Sequence, residues 1–113
     1  ALQDKNNGYL VAEVQGKIAG YCGYWGVSPE GYIYNVAVQK EYRRQQIGYQ
    51  MLRKLIAEAK ENGIRALTLE VRYFNTPAIN LYKRLGFTEA GIRRGFYSNP
   101  TEDAVIMWLK PIQ

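Results

Sequence analysis

The chain has 113 residues, 47% of them hydrophobic and 22% charged, with a net charge of +5, a composition that fits one globular domain spanning 1–113. It has no histidine and a single cysteine, Cys22, which removes Ser-His-Asp and Cys-His catalysis, His-ligated zinc and any internal disulfide, and no metal is expected. No apolar run approaches the ~20 residues a bilayer span requires, and the opening stretch Ala1 to Asn7 lacks the basic and apolar regions of a signal peptide, so a cytoplasmic protein without a membrane partner is expected.

Tyr9 to Val14 and Lys17 to Trp25 read as strands joined by Gln15-Gly16, a two-residue connection whose glycine suits the positive φ of a tight hairpin. The two strands are expected to pair antiparallel. Cys22, between Gly20-Tyr21 and Gly23-Tyr24, reads as strand packing rather than as a nucleophile. Pro29-Glu30-Gly31 marks a turn, and Tyr32 to Val38 forms a third, mostly apolar strand that Asn35 interrupts, where a bulge or a site is expected.

Directly after this strand comes Tyr42-Arg43-Arg44-Gln45-Gln46-Ile47-Gly48-Tyr49, followed by Ile47, Met51, Leu52, Leu55, Ile56 and Ala59 at helical spacing as far as Lys60. The first N–H groups of a helix lack intrahelical partners and carry the positive end of its dipole, so a strand, a basic glycine loop and a helix start form an anion site. A phosphate or pyrophosphate is the expected ligand. A plain connection with solvated arginines is the competing reading.

Asn62-Gly63 ends the helix, and Ala66 to Val71 then reads as a buried strand in which Glu70 is an expensive carboxylate. Thr76 as N-cap and Pro77 at the first helical position open a short helix over about 77 to 85, which Gly86 stops. Phe87 to Phe96 and Ala104 to Leu109 are two further strands, joined through a loop from Tyr97 to Asp103. An antiparallel start followed by alternating strands and helices gives an α/β fold with helices flanking a mixed sheet. Basic residues from Lys40 to Arg94 are interspersed with carboxylates, which fits a solvated surface plus an anion site, and no direct nucleic-acid contact is expected.

The order of loop, strand carboxylate, Asn75 and Tyr82 resembles the GCN5-related N-acetyltransferase (GNAT) family, whose pyrophosphate loop follows R/Q-x-x-G-x-G/A. Here it reads Arg43-Arg44-Gln45-Gln46-Ile47-Gly48. The likeness is closest to the family's bacterial ribosomal-protein-alanine N-acetyltransferase branch, through Leu69 to Arg72, Asn75 to Tyr82, Leu85-Gly86-Phe87, Gly91 to Arg94 and Glu102 to Met107. It covers almost the whole chain. There are two departures. Gln46 replaces the family's first loop glycine, at a cost of about 1 kcal/mol if positive φ is required. The family's opening strand and two helices, which help wall the acceptor groove, are also expected to be missing.

The resemblance implies a GNAT-like sheet and the co-substrate acetyl-CoA. Its arm would lie along the backbone of Val36, Ala37 and Val38, and its pyrophosphate on Arg43, Arg44, Gln45, Gln46, Ile47, Gly48 and Tyr49, with Asn75 as a further contact. It implies Glu70 as general base and Tyr82, 12 positions later, as general acid toward the departing thiolate. Asn35 and Tyr97 are candidates for acceptor contact. Each residue also has a plain reading: Val36 to Val38 as core strand, Glu70 as a carboxylate paired with Arg72 or Arg65, Tyr82 as part of the apolar stripe with Ile79 and Leu85, Asn75 as helix-entry chemistry, and the Tyr97 loop as a simple hairpin.

The implied reaction is acetyl transfer from acetyl-CoA to the N-terminal alanine of a ribosomal protein. An α-amino group with a pKa of about 7.7–8.0 is partly neutral near pH 7.4, whereas a lysine near 10.4 is about a thousandfold protonated, so a modest base suits the former. Acetylation of another small amine or a lysine, and a non-catalytic CoA- or ribosome-binding module, remain open alternatives.

Overall fold

The computed structural model describes residues 5–43 and 46–112. Its elements run β1 (Lys5–Val14), β2 (Lys17–Val27), β3 (Glu30–Val38), a 3-10 turn (Lys40–Tyr42), α1 (Ile47–Glu61), β4 (Ala66–Arg72), α2 (Thr76–Arg84), β5 (Thr88–Tyr97) and β6 (Glu102–Leu109). The strands form one sheet in the order β1-β2-β3-β4-β6-β5. Every neighbouring pair is antiparallel except β3 with β4, which α1 joins as a crossover.

The first hairpin turns on Gln15 and Gly16, both at positive φ (52° and 81°), as the twist of the flanking strands demands of a two-residue connection. Alternation along β2 then buries Cys22 and Tyr24 under α1 and sends Tyr21 and Trp25 to the opposite face, where they stay 38% and 53% exposed. Helix α1 contributes Met51, Leu52, Leu55 and Ala59 to a core that also takes Ile33, Leu67, Leu69, Val105 and Met107 from the sheet and Tyr82 from α2. The helical stripe is as expected, with Ile47 and Ile56 only half-buried.

Several boundaries differ from the sequence reading, β1 starting at Lys5 and β2 running on to Val27 among them, and three of the differences have a clear local cause. The turn before β3 narrows to Ser28-Pro29, because the Pro29 carbonyl accepts from the Arg65 and Ala66 N–H groups and draws Glu30 into the ladder beside Ala66. The cap of α2 is Asn75 rather than Thr76: the Asn75 Oδ1 accepts from the Ala78 N–H at 3.2 Å, so Thr76 becomes the first helical residue. The last loop is shorter than expected, since Tyr97 pairs with Glu102 and closes β5, leaving only 98–101 between the strands.

Candidate active site

β3 and β4 pair only where Glu30, Gly31 and Tyr32 face Ala66, Leu67 and Thr68. Beyond that point they part. The cause is local: Asn35 takes a left-handed conformation (φ 56°), and the β2–β3 register jumps from Gly23–Tyr34 to Tyr21–Ala37 across it. The extra residue is a β-bulge, which bends β3 while β4 continues along β6 from Leu67 to Arg72. The interruption expected at Asn35 is therefore a bulge, and it opens the sheet.

The cleft so formed has a volume of about 690 Å³ and is lined by β3 from Tyr32 to Val38, β4 from Leu69 to Arg72, the start of α2, and Phe96 and Tyr97. The segment from Ile33 to Val38 has no ladder partner on its β4 side, so its outward backbone groups are available to a linear ligand. Arg43 reaches the cleft from beyond β3 and donates from its Nε to the Val38 carbonyl at 3.2 Å.

Glu70 from β4 and Tyr82 from α2 both line the cleft. The Glu70 carboxylate is only 9% exposed and accepts a hydrogen bond from the Tyr32 hydroxyl on Oε1, while Arg93 lies 3.6 Å from Oε2. It pairs with neither Arg72, which binds Glu102 at 3.0 Å, nor Arg65. Tyr32, which the sequence reading placed only at the start of the third strand, is the partner of that carboxylate. The signal was the parallel β3–β4 register, which sets Tyr32 two residues from Glu70's level on the neighbouring strand.

Tyr82 is 6% exposed, its ring packs 5.9 Å from Phe87, and it lines the cleft. Its hydroxyl makes no hydrogen bond among the described residues. Burial first, and the nearby Tyr97 second, push its phenol up to about 12, so it stays protonated through the neutral range. Burial and the Glu70 carboxylate raise Tyr32 likewise to about 12. Both hydroxyls are thus standing donors.

Asn35, Val36, Ala37, Val38, Asn75 and Tyr97 all line the same cleft. The Arg72 guanidinium sits 4.3 Å above the Tyr97 ring, and its ion pair with Glu102 fixes it there. Gln46 is the N-cap of α1 and Ile47 its first residue; neither they nor Gly48 line the cleft, and Gly48 lets α2 approach: a Cβ there would stand 3.3 Å from Leu81 Cδ2 and 3.5 Å from Val38 Cγ2. Tyr49 lines a different concavity, with Arg53, Arg84 and Leu109. Arg44 and Gln45 lie outside the described residues.

A mixed sheet split by a bulge, with an unpaired strand edge leading to a helix start, defines a fold class. The family model described as Acetyltransferase (GNAT) family matches residues 1–87. The chain belongs to that family. It is 44% identical over 96 residues to the Escherichia coli K12 ribosomal protein bS18-alanine N-acetyltransferase, covering 83% of this chain and 65% of that protein. It is 37% identical over 119 residues to an N-alpha-acetyltransferase of Sulfurisphaera tokodaii, covering 94% and 71%. The crystal structure of the ribosomal-protein-S18-alanine N-acetyltransferase from Escherichia coli superposes with a TM-score of 0.86 at 40% identity, over 95% of this chain and 70% of that one. The chain spans about two thirds of the length of the curated relatives it matches.

Proposed function

We propose that the chain is the acetyl-transferring part of an Nα-acetyltransferase that uses acetyl-CoA and acts on the N-terminal alanine of a ribosomal protein. The observation that carries this is the opening of β3 from β4, which brings an unpaired strand edge, the half-buried Glu70 carboxylate and the Tyr82 phenol to one cleft. The names of the bS18-alanine relatives support the acceptor class.

The cleft fits the co-substrate on its own chemistry. A pantetheine arm carries amides in line, which match the outward backbone groups of the Val36–Val38 edge, and its apolar stretches match Pro77, Ala78 and Leu81 in the same cleft. Arg43 and the first N–H groups of α1, from Ile47 to Tyr49, offer positive charge for a pyrophosphate at the end of that strand. Asn75, its Oδ1 committed to capping α2, keeps its amide N–H groups for the same arm.

In the reaction, the amine nitrogen bonds to the thioester carbon, the carbon–sulfur bond breaks, and the amine proton must leave. Glu70 receives that proton, directly or through one water, and the Tyr32 hydrogen bond fixes the receiving carboxylate. A backbone N–H of the Val36–Val38 edge stabilises the carbonyl oxygen as charge develops on it. Tyr82 donates its phenolic proton to the departing sulfur. Asn35 and Tyr97, at the open end, contact the acceptor peptide.

Incubating the full chain with acetyl-CoA and either a free-alanine peptide or an N-terminally blocked lysine peptide tests the reading. Acetylation of the alanine peptide is expected. Preference for the lysine peptide would replace the acceptor assignment, and acetyl-CoA binding without transfer to either would reduce the chain to a CoA-binding module.

A further inference from the structure

Gln46 stands where the family's phosphate loop carries glycine, and its backbone is left-handed, with φ 62° and ψ 12°. A Cβ resists that region, so the conformation needs support from elsewhere. The Gln46 side chain does not cap its own helix, in contrast to Asn75 on α2. Its Oε1 instead accepts a hydrogen bond from Arg84 Nη2 at 3.0 Å.

Arg84 is the last residue of α2, and its guanidinium lies 4.4 Å from the centroid of Tyr49, a ring that Arg53 approaches from 5.8 Å. Among the described residues no carboxylate pairs with Arg84. One turn earlier on α2, Leu81 rests against Gly48. Gly48–Leu81 and Gln46–Arg84 are therefore two successive rungs of one contact between the helices.

We propose that Arg84 is the positioning residue of the phosphate loop. By holding the Gln46 side chain in the seam between α1 and α2, it fixes the left-handed turn that aims the first α1 N–H groups at the pyrophosphate of acetyl-CoA. It thus replaces the conformational freedom of glycine with a tether from the second helix. The proposal rests on the acetyl-CoA reading of the cleft.

Arg84→Met keeps bulk and removes the donor. It is expected to raise the Kd and KM for acetyl-CoA about fivefold, the worth of one hydrogen bond, with kcat changed by less than about twofold. Gln46→Gly in the Arg84→Met background is expected to restore affinity, because glycine needs no tether. An unchanged Kd in Arg84→Met, or an equal loss from Arg84→Met when residue 46 is glycine, would overturn the proposal.

A second readout requires no cofactor. The Gln50 N–H donates to the Gln46 carbonyl at 3.0 Å, so without ligand Arg84→Met should speed hydrogen exchange at the Gln50 amide, and unchanged exchange would overturn the tether. A wild-type chain that does not bind acetyl-CoA would instead overturn the proposed function, leaving the tether to be judged by exchange alone.

Discussion

The Tyr32 hydroxyl donates a hydrogen bond to Glu70 Oε1 at the point where β3 and β4 part. The bond crosses the head of the cleft and leaves Oε2 toward Arg93 at 3.6 Å. One carboxylate is thereby held by a neutral donor and a largely exposed cation, in a position to take a proton from a group entering the cleft.

Removing that carboxylate as a base is expected to be expensive. Glu70→Gln should lower kcat by about 10²–10⁴-fold, the usual contribution of a positioned general base, with little change in acetyl-CoA affinity. Tyr32→Phe should cost less, on the order of tenfold, since it loosens the carboxylate without deleting it. Steady-state rates beside calorimetric Kd values check both, and a Glu70→Gln variant with wild-type kcat would rule out the base.

Tyr82 sets an expectation for alkaline pH. Its phenol is pushed up to about 12 by burial, so the donor form persists well above the ordinary tyrosine value of 10.0. The alkaline limb of kcat should show no loss from tyrosine ionisation near pH 10, and Tyr82→Phe should lower kcat at every pH. Stability follows the same sign: a folded-state pKa above the unfolded one gives stabilisation that is complete below pH 10 and is lost as pH rises through about 12. Alkaline denaturation midpoints for wild type and Tyr82→Phe measure this, and a variant that loses stability just as early and as steeply would contradict it.

Gly48 joins the two helices at the phosphate end. A valine there places methyl groups against Leu81 and Val38, and overpacking of this kind costs about 1–3 kcal/mol. Gly48→Val should lower the urea midpoint and weaken acetyl-CoA binding together. Normal affinity in the folded variant would show that the close approach of α2 to α1 is not needed for the ligand.

Cys22 is fully buried, and burial, with the Glu58 carboxylate as the lesser cause, pushes its thiol up to about 12. The thiolate is the reactive form. A disulfide reagent at pH 8 should therefore react with Cys22 only on the timescale of unfolding, and rapid labelling of the native chain would contradict the packing described here.

Much of this was legible in the sequence because local chemistry dictated it. Gln15-Gly16 could only make a tight hairpin, the α1 stripe announced its buried face, and Asn35 announced a break in an apolar strand. The family likeness supplied the rest of the order; Glu70, Tyr82, Asn75 and the Val36–Val38 edge line one cleft. What the sequence did not give depends on which strands are neighbours and how helices meet. Tyr32 reaches Glu70 only through the parallel register, and Arg84 reaches Gln46 across 38 residues. Spacing along one element cannot reveal either contact. The cap of α2 was misread for a smaller reason: Asn75 and Thr76 both suit an N-cap, and the choice falls on the side chain that reaches the Ala78 N–H.

Amide chemical shifts during an acetyl-CoA titration of the uniformly ¹⁵N-labelled chain test the cleft most directly, because they need neither an acceptor nor turnover. Perturbations are expected at Val36, Ala37, Val38, Gln46, Ile47 and Gly48, with β1 outside the affected set. Saturable shifts confined to other surfaces, or no shifts at millimolar acetyl-CoA, would contradict a co-substrate bound between β3 and β4.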